Sequence, residues 1–151
     1  FDGAQAVFID RRRADNATRN TLTLLEGAPV HCTAVGKAIL AFQPRRTIER
    51  VIAAGLTAFT ATTLTTADAL LAELALIRAR GWAVDDGEHQ PGTRCVAAPI
   101  RNGAGQVIAA ISASSTPAVI SPEKDEEHGR LVSGIAGELS RRLGHMPPQP
   151  G

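Results

Sequence analysis

Aromatic and sulfur-bearing side chains are scarce: the 151 residues include no tyrosine, one tryptophan, four phenylalanines, one methionine and two cysteines. A core must therefore be mainly aliphatic, and a hydrophobic content of 44% supplies enough for one real domain. Cys32 and Cys95 are too few for a disulfide framework, and no C-x-x-C pair marks a structural zinc site. An uninterrupted apolar run of about 20 residues and a signal-peptide pattern are both missing, which points to a reduced, cytoplasmic protein outside the membrane. A net charge of +1 leaves no electrostatic footprint for nucleic acid or an anionic lipid surface. Nothing repeats at a fixed period. The chain opens on Phe1 rather than Met and reads as a piece of a longer protein.

What is present reads as alternating strands and helices. Residues 4–10 and 21–25 are β-rich and predict an antiparallel pair, joined through the solvated basic triplet at 11–13 and a turn at Asp15 and Asn16. Thr33 predicts an N-cap, followed by a helix burying Val35, Ala38, Ile39 and Phe42. The Gly36–Lys37 pair fails as a phosphate loop: His31 stands where the first glycine belongs, and Ala38 where Ser or Thr belongs. Lys37 is then expected on the exposed helix face. A second helix is predicted over 44–54, and a Thr-rich loop over 56–66. Thr65 with Asp68 predicts a capping box for a third helix, which buries Leu70, Leu74 and Ile77 and stops at Gly81. The last helix starts at Ser121–Pro122–Glu123 with an apolar stripe of Leu131, Val132, Ile135, Ala136, Leu139 and Leu143. A disordered tail is expected over 145–151, with His31, His128 and His145 at the surface.

The densest set of reactive side chains lies between Gly81 and Ile100: Asp85, Glu88, His89 and Cys95. A strand over 82–85 leads into a polar turn over 86–92 and an apolar strand over 93–100. That strand returns through RNGAGQ as VIAAISASS, which predicts a hairpin. With an even loop centred between Gly103 and Ala104, Ile100 faces Val107, Ala97 faces Ala110 and Cys95 faces Ser112. Alternation then places Cys95, Ala97 and Pro99 on one face with Ile108, Ala110, Ser112 and Ser114. Val96, Ala98, Ile100, Val107, Ala109 and Ile111 take the other face, which must meet the core. A one-residue change in loop length would exchange the faces.

These residues carry a resemblance. HCTAVGKAILA, the capped helix ending ARGW, and Gly81, Asp85, Glu88, Cys95, Val96, Ala97, Ile100 and Asn102 in register, followed by ISASS, resemble the effector-binding domain of IclR-type bacterial transcription regulators. Arg101 departs from the pattern, standing where an aromatic residue or histidine is usual. The resemblance implies an α/β domain of the α+β type, GAF- or PAS-like, with a mostly antiparallel sheet flanked by helices, spanning residues 1–144. It implies a small organic acid, often aromatic, held at Ala34, Val35, Asp85, Cys95, Ser112 and Ser114, and it calls for no cofactor or metal. DNA would be contacted only by a winged helix-turn-helix domain preceding Phe1, and the domains would assemble as homodimers or homotetramers.

Other readings of the same residues stand beside this one. Cys95 taken alone is an ordinary buried strand cysteine, Ser112 and Ser114 are the polar side of a half-exposed sheet, and Asp85 bonds the following turn. Cys95, His89 and Asp85 also have the residue types of a thiol nucleophile, its base and an orienting acid, or of zinc ligands. Nothing in the sequence fixes the geometry of these three side chains, and catalysis is not expected of them.

Overall fold

Two neighbouring strands position everything else. In the computed structural model, which describes residues 3, 5–12 and 27–146, β4 (Arg94–Arg101) pairs with β5 (Val107–Ser115) as an antiparallel hairpin. β3 (Ala83–Asp86) pairs antiparallel on the other side of β4, giving the order β3-β4-β5. A separate antiparallel pair joins β1 (Gln5–Val7) to β2 (Gly27–Pro29). The strand expected over 21–25 lies outside the described residues, and the observed partner of β1 follows it in sequence.

Helix α1 (Ala34–Leu40) packs on one side of the sheet, backed by α3 (Ala67–Arg80). α4 (Asp125–Arg142), entered through one 3-10 turn at Pro122–Lys124, covers the other side. α2 (Arg45–Ala53) buries Thr47, Ile48 and Val51. The expected mixed architecture with an antiparallel sheet between helices is thus observed. Both faces of the sheet are covered, so the core has two parts. Ala38, Leu40, Leu74, Ile77, Ala83 and Ala97 pack on the α1 side, and Val84, Val96, Ala98, Ile100, Val132 and Ala136 on the α4 side.

The hairpin register differs from the simple expectation in an instructive way. Cys95 faces Ser114, Ala97 faces Ser112, and Ile100 faces Ala109. The turn is not even-numbered: the Gly105 amide donates to Asn102 O at 2.9 Å, Asn102 N–H to Gln106 O at 3.0 Å, and Gly105 has φ of 76°. A left-handed glycine closing such a turn adds one residue to the loop. A second irregularity, with Ile108 as the extra residue between the pairs Ile100↔Ala109 and Arg101↔Val107, adds another. Each shift alone would exchange the faces, and two restore them. Cys95, Ser112 and Ser114 therefore share a face as expected, while Val107, between the two shifts, joins the α1 side.

Several local expectations change for identifiable reasons. Thr66, not Thr65, caps α3, accepting from the Ala69 amide at 3.3 Å. Gly81 ends that helix as expected, with φ of 88° and its N–H on Ile77 O. The apolar stripe of α4 is wider than the surface it buries: Val132 and Ala136 are buried, but Leu131, Ile135 and Leu143 are exposed. His31 is buried rather than superficial, with Nε2 3.0 Å from Thr57 O. His145 is bound to α4 by its backbone amide, 2.9 Å from Ser140 O, and residues 147–151 of the expected tail lie outside the described residues. No helix among the described residues is long and apolar enough to cross a membrane.

Candidate functional site

The first turn of α1 is set by Thr33, whose Oγ1 accepts from the Gly36 amide at 3.2 Å and donates to Pro29 O at 2.7 Å. Gly36 is there for closeness: a Cβ would stand 2.4 Å from the Val30 Cα. This packing drives the helix into the protein so fully that all seven of its residues are buried. Lys37, expected in solvent, is 1% exposed, because every face of so deep a helix is an interior face. Its ammonium pairs with the Glu88 carboxylate and lies 3.6 Å from Glu73. Glu73 is in turn held by Arg80 at 3.0 Å.

Glu88 belongs to the turn after β3, and that strand brings a further buried carboxylate, Asp85, to the same region. Asp85 Oδ1 accepts from the Glu88 amide at 2.7 Å, so this side chain does bond the following turn. Burial pushes Asp85 up to about 6, against the opposing pull of that amide, Lys37 and the His89 amide. Burial pushes Glu88 up to about 7, with Lys37 opposing, and its Oε2 is enclosed without a hydrogen-bond partner. The turn is clamped by the Thr-rich loop. Thr63 Oγ1 donates to Glu88 O at 2.6 Å, Thr60 Oγ1 to Gly87 O at 2.7 Å, and Thr62 Oγ1 to Asp86 O at 3.2 Å. Six threonines over 56–66 and no apolar period were the signal in the sequence for a loop that grips carbonyls. The partner could not be read from them.

All six residues expected at the site, Ala34, Val35, Asp85, Cys95, Ser112 and Ser114, line one recess between the start of α1 and the β4–β5 hairpin. Phe8, Thr33, His89, Gln90 and Thr93 complete its wall, and sequence reasoning had not placed Phe8, Thr33, Gln90 and Thr93 there. Phe8 comes from the far end of the chain, and no local pattern points to it. The cavity is about 20 Å³, room for about one water molecule. Cys95 Sγ lies 2.9 Å from Ser114 Oγ, the pair that the observed register puts face to face.

The thiol is not primed for attack. Burial, the largest influence, pushes Cys95 up to about 12, with Asp85 adding to it and the Ser114 contact opposing, so at neutral pH it is a thiol and not a thiolate. His89 is half-buried and packs on Phe59, with ring centroids 5.0 Å apart. Among the described residues no three His, Cys, Asp or Glu side chains converge as metal ligands. Cys32 is likewise inert, buried and pushed up to about 12.

Fold and recess together define the class: a helix-covered, antiparallel α/β domain with a small thiol- and hydroxyl-lined pocket on one sheet face. The chain belongs to the family described as the bacterial transcriptional regulator IclR C-terminal domain, whose sequence profile matches residues 1–141. It is 34% identical over 148 residues to the HTH-type transcriptional repressor AllR of Salmonella typhimurium strain LT2, covering 97% of this chain and 54% of AllR. The crystal structure of Thermotoga maritima IclR is similar with a TM-score of 0.90 and 34% identity, covering 96% of this chain and 59% of that one. A double mutant of the PobR inducer-binding domain from Acinetobacter, solved with 3-hydroxybenzoic acid, is similar with a TM-score of 0.81 and 25% identity. That likeness covers 93% of this chain and 83% of the PobR domain. The chain spans about half the length of the AllR repressor it matches. AllR and PobR are named as transcription factors, not as enzymes.

Proposed function

We propose that residues 1–144 form the sensing domain of a transcription regulator and bind a small organic carboxylic acid in the recess. Occupancy would control DNA binding by a winged helix-turn-helix domain N-terminal to this chain. The observation that carries this reading is the convergence of Ala34, Val35, Asp85, Cys95, Ser112 and Ser114 on one pocket. The first N–H groups of a helix have no partner within it, so those of Ala34 and Val35 suit a carboxylate. The two serine hydroxyls can donate to its oxygens, and the thiol supplies a small polarizable floor. Asp85 repels an ionised acid and serves instead to shape the turn behind the pocket. The cavity has room for little more than a water, so an acid enters by parting α1 from the hairpin or shifting the 87–93 loop. Such a movement is what a relay to another domain requires.

A thermal-shift screen of acetate, benzoate and 3-hydroxybenzoate, followed by calorimetry, tests the reading. A ligand at about 100 times its Kd adds roughly 2.7 kcal/mol to stability. Replacing both Ser112 and Ser114 by alanine should weaken it by about 1–3 kcal/mol, the worth of hydrogen bonds to a charged group. Undiminished affinity in that double variant removes the serines from the site. The same reading expects at least a dimer, since paired DNA readers match paired half-sites and Leu131 and Ile135 lie exposed on α4. Sedimentation showing only a 15.8 kDa species at micromolar concentration counts against assembly.

A further inference from the structure

Toward the other end of β4 from the recess lies a larger and chemically different cleft. It has a volume of about 310 Å³, within the usual size of small-molecule sites, and it is bounded by the last turns of α3 and α4 and the end of β4. Its floor is apolar, from Phe42, Ala98, Pro99 and Ala136, and its rim carries Arg78, Arg101, Arg141 and His145. No carboxylate lines it.

The arginines differ in what holds them. Arg141 pairs with Glu138, which cancels much of its charge. Arg78 and Arg101 form no ion pair among the described residues. Arg78 Nη1 donates to Ala41 O at 2.9 Å, answering the carbonyl end of α1. Arg101 Nη1 donates to Gly105 O at 2.9 Å, and its guanidinium carbon sits 4.6 Å from the centre of the Phe42 ring. Its backbone is fixed as well, with N–H on Ser140 Oγ at 2.9 Å. Both guanidiniums are thus oriented by carbonyls that leave their charge uncompensated and most of their donors unused. Ser133 also lines the cleft, although its hydroxyl is itself sealed from water. Arg94, by contrast, meets Asp86 and Asp125 at 2.6 Å.

We infer that this cleft is a second ligand site, taking a small organic anion whose carboxylate or phosphate group binds Arg101 and Arg78 and whose apolar body rests on Phe42 and Pro99. Arginine forks suit both oxyanions, while an apolar floor favours an ester or acid over the bare ion. Arg101 is the position at which the chain departs from the pattern of the regulators it resembles. The charge that makes the cleft basic therefore enters where an aromatic side chain or histidine is usual.

The test is a nitrogen-15 NMR titration of the 151-residue chain with phenyl phosphate and with phenylacetate, chloride being used to hold ionic strength constant. Saturable shifts centred on the amides of Arg101, Ser133 and Ser140 are expected for at least one of them. Phenyl phosphate acting alone identifies a phosphate ester as the ligand class, and phenylacetate alone a carboxylate. Arg101→Gln should raise Kd roughly tenfold and Arg78→Gln somewhat less, since Arg78 also serves α1. Ser112→Ala should leave this Kd unchanged. Arg78 is exposed, so its variant remains informative even if Arg101→Gln disturbs the hairpin. Shifts that follow ionic strength without saturating, or that persist in full in Arg78→Gln, overturn the site.

Discussion

Strand β4 sends alternate residues to two faces of one sheet, and the faces differ in kind. Toward α4 it presents Val96, Ala98 and Ile100, which meet Val132 and Ala136 in an apolar contact. Toward α1 it presents Ala97, packed in an apolar cluster with Leu40, Leu74 and Ile77, and Cys95, which shares the recess with Asp85, Ser112 and Ser114; the buried Lys37–Glu88 pair also lies on the α1 side. The first face removes hydrocarbon from water and asks only for complementary shape. The second buries hydrocarbon too, but at Lys37, Asp85 and Glu88 it also keeps charged groups out of water, which is unfavourable unless each is partnered, so it ties stability to protonation and to pairing. A sheet can carry both because its side chains alternate. Apolar packing anchors it on both faces, and the buried charges on the α1 side add a part that responds to pH.

The largest expected effect follows from the carboxylates. Asp85 and Glu88 have pKa values raised from 3.8 and 4.5 to about 6 and about 7, so the folded state binds their protons more tightly than the unfolded chain does. Their burial therefore costs nothing below about pH 4, and stability falls as pH rises through 6 and 7. Urea unfolding should show a loss on the order of 3 kcal/mol between pH 4.5 and 7.5, flattened in Asp85→Asn/Glu88→Gln. A flat profile in the unaltered chain would erase the distinction between the faces.

Removing Lys37 comes next. Lys37→Met strips the one ammonium paired with Glu88, and breaking a buried pair costs about 3–5 kcal/mol. Glu88 can take up a proton, so the lower end is expected, and Glu88→Gln in the same chain should restore part of the loss. No rescue in the double variant would mean that the two do not act as a pair.

The smallest effects separate the faces most cleanly. Ile100→Ala, on the apolar side, should cost about 2 kcal/mol in chemical denaturation and leave acid binding at the recess intact. Ser114→Ala, on an exposed stretch of β5, should change stability by about 0.5 kcal/mol or less while weakening the ligand. Reversal of these two outcomes would put the recess on the wrong side of the sheet.

Legibility differed along the chain for physical reasons. Caps, helix stops and strand alternation act over a few residues, so α3, its stop at Gly81 and the β4–β5 hairpin could be read directly. Apart from Val107, the hairpin faces were assigned correctly although the facing pairs were not, because the turn and the Ile108 irregularity each moved the register by one. Lys37 was misplaced because helical period reports which residues are apolar, not how deep a helix lies. A seven-residue helix wedged against Val30 has no outer face.

By itself the sequence determined the family, the succession of elements from α1 onward and, through the family pattern, the six residues that meet at the recess. These rest on local spacing and on a pattern held in register. Only the tertiary structure decided that Phe8 walls the recess, that the threonine loop clamps the turn after β3, that Lys37 meets both Glu88 and Glu73, and that Arg78 and Arg101 share a cleft. Each of these joins residues far apart in the chain. Their meeting depends on how the elements pack, and that packing leaves no period or spacing in the sequence to read.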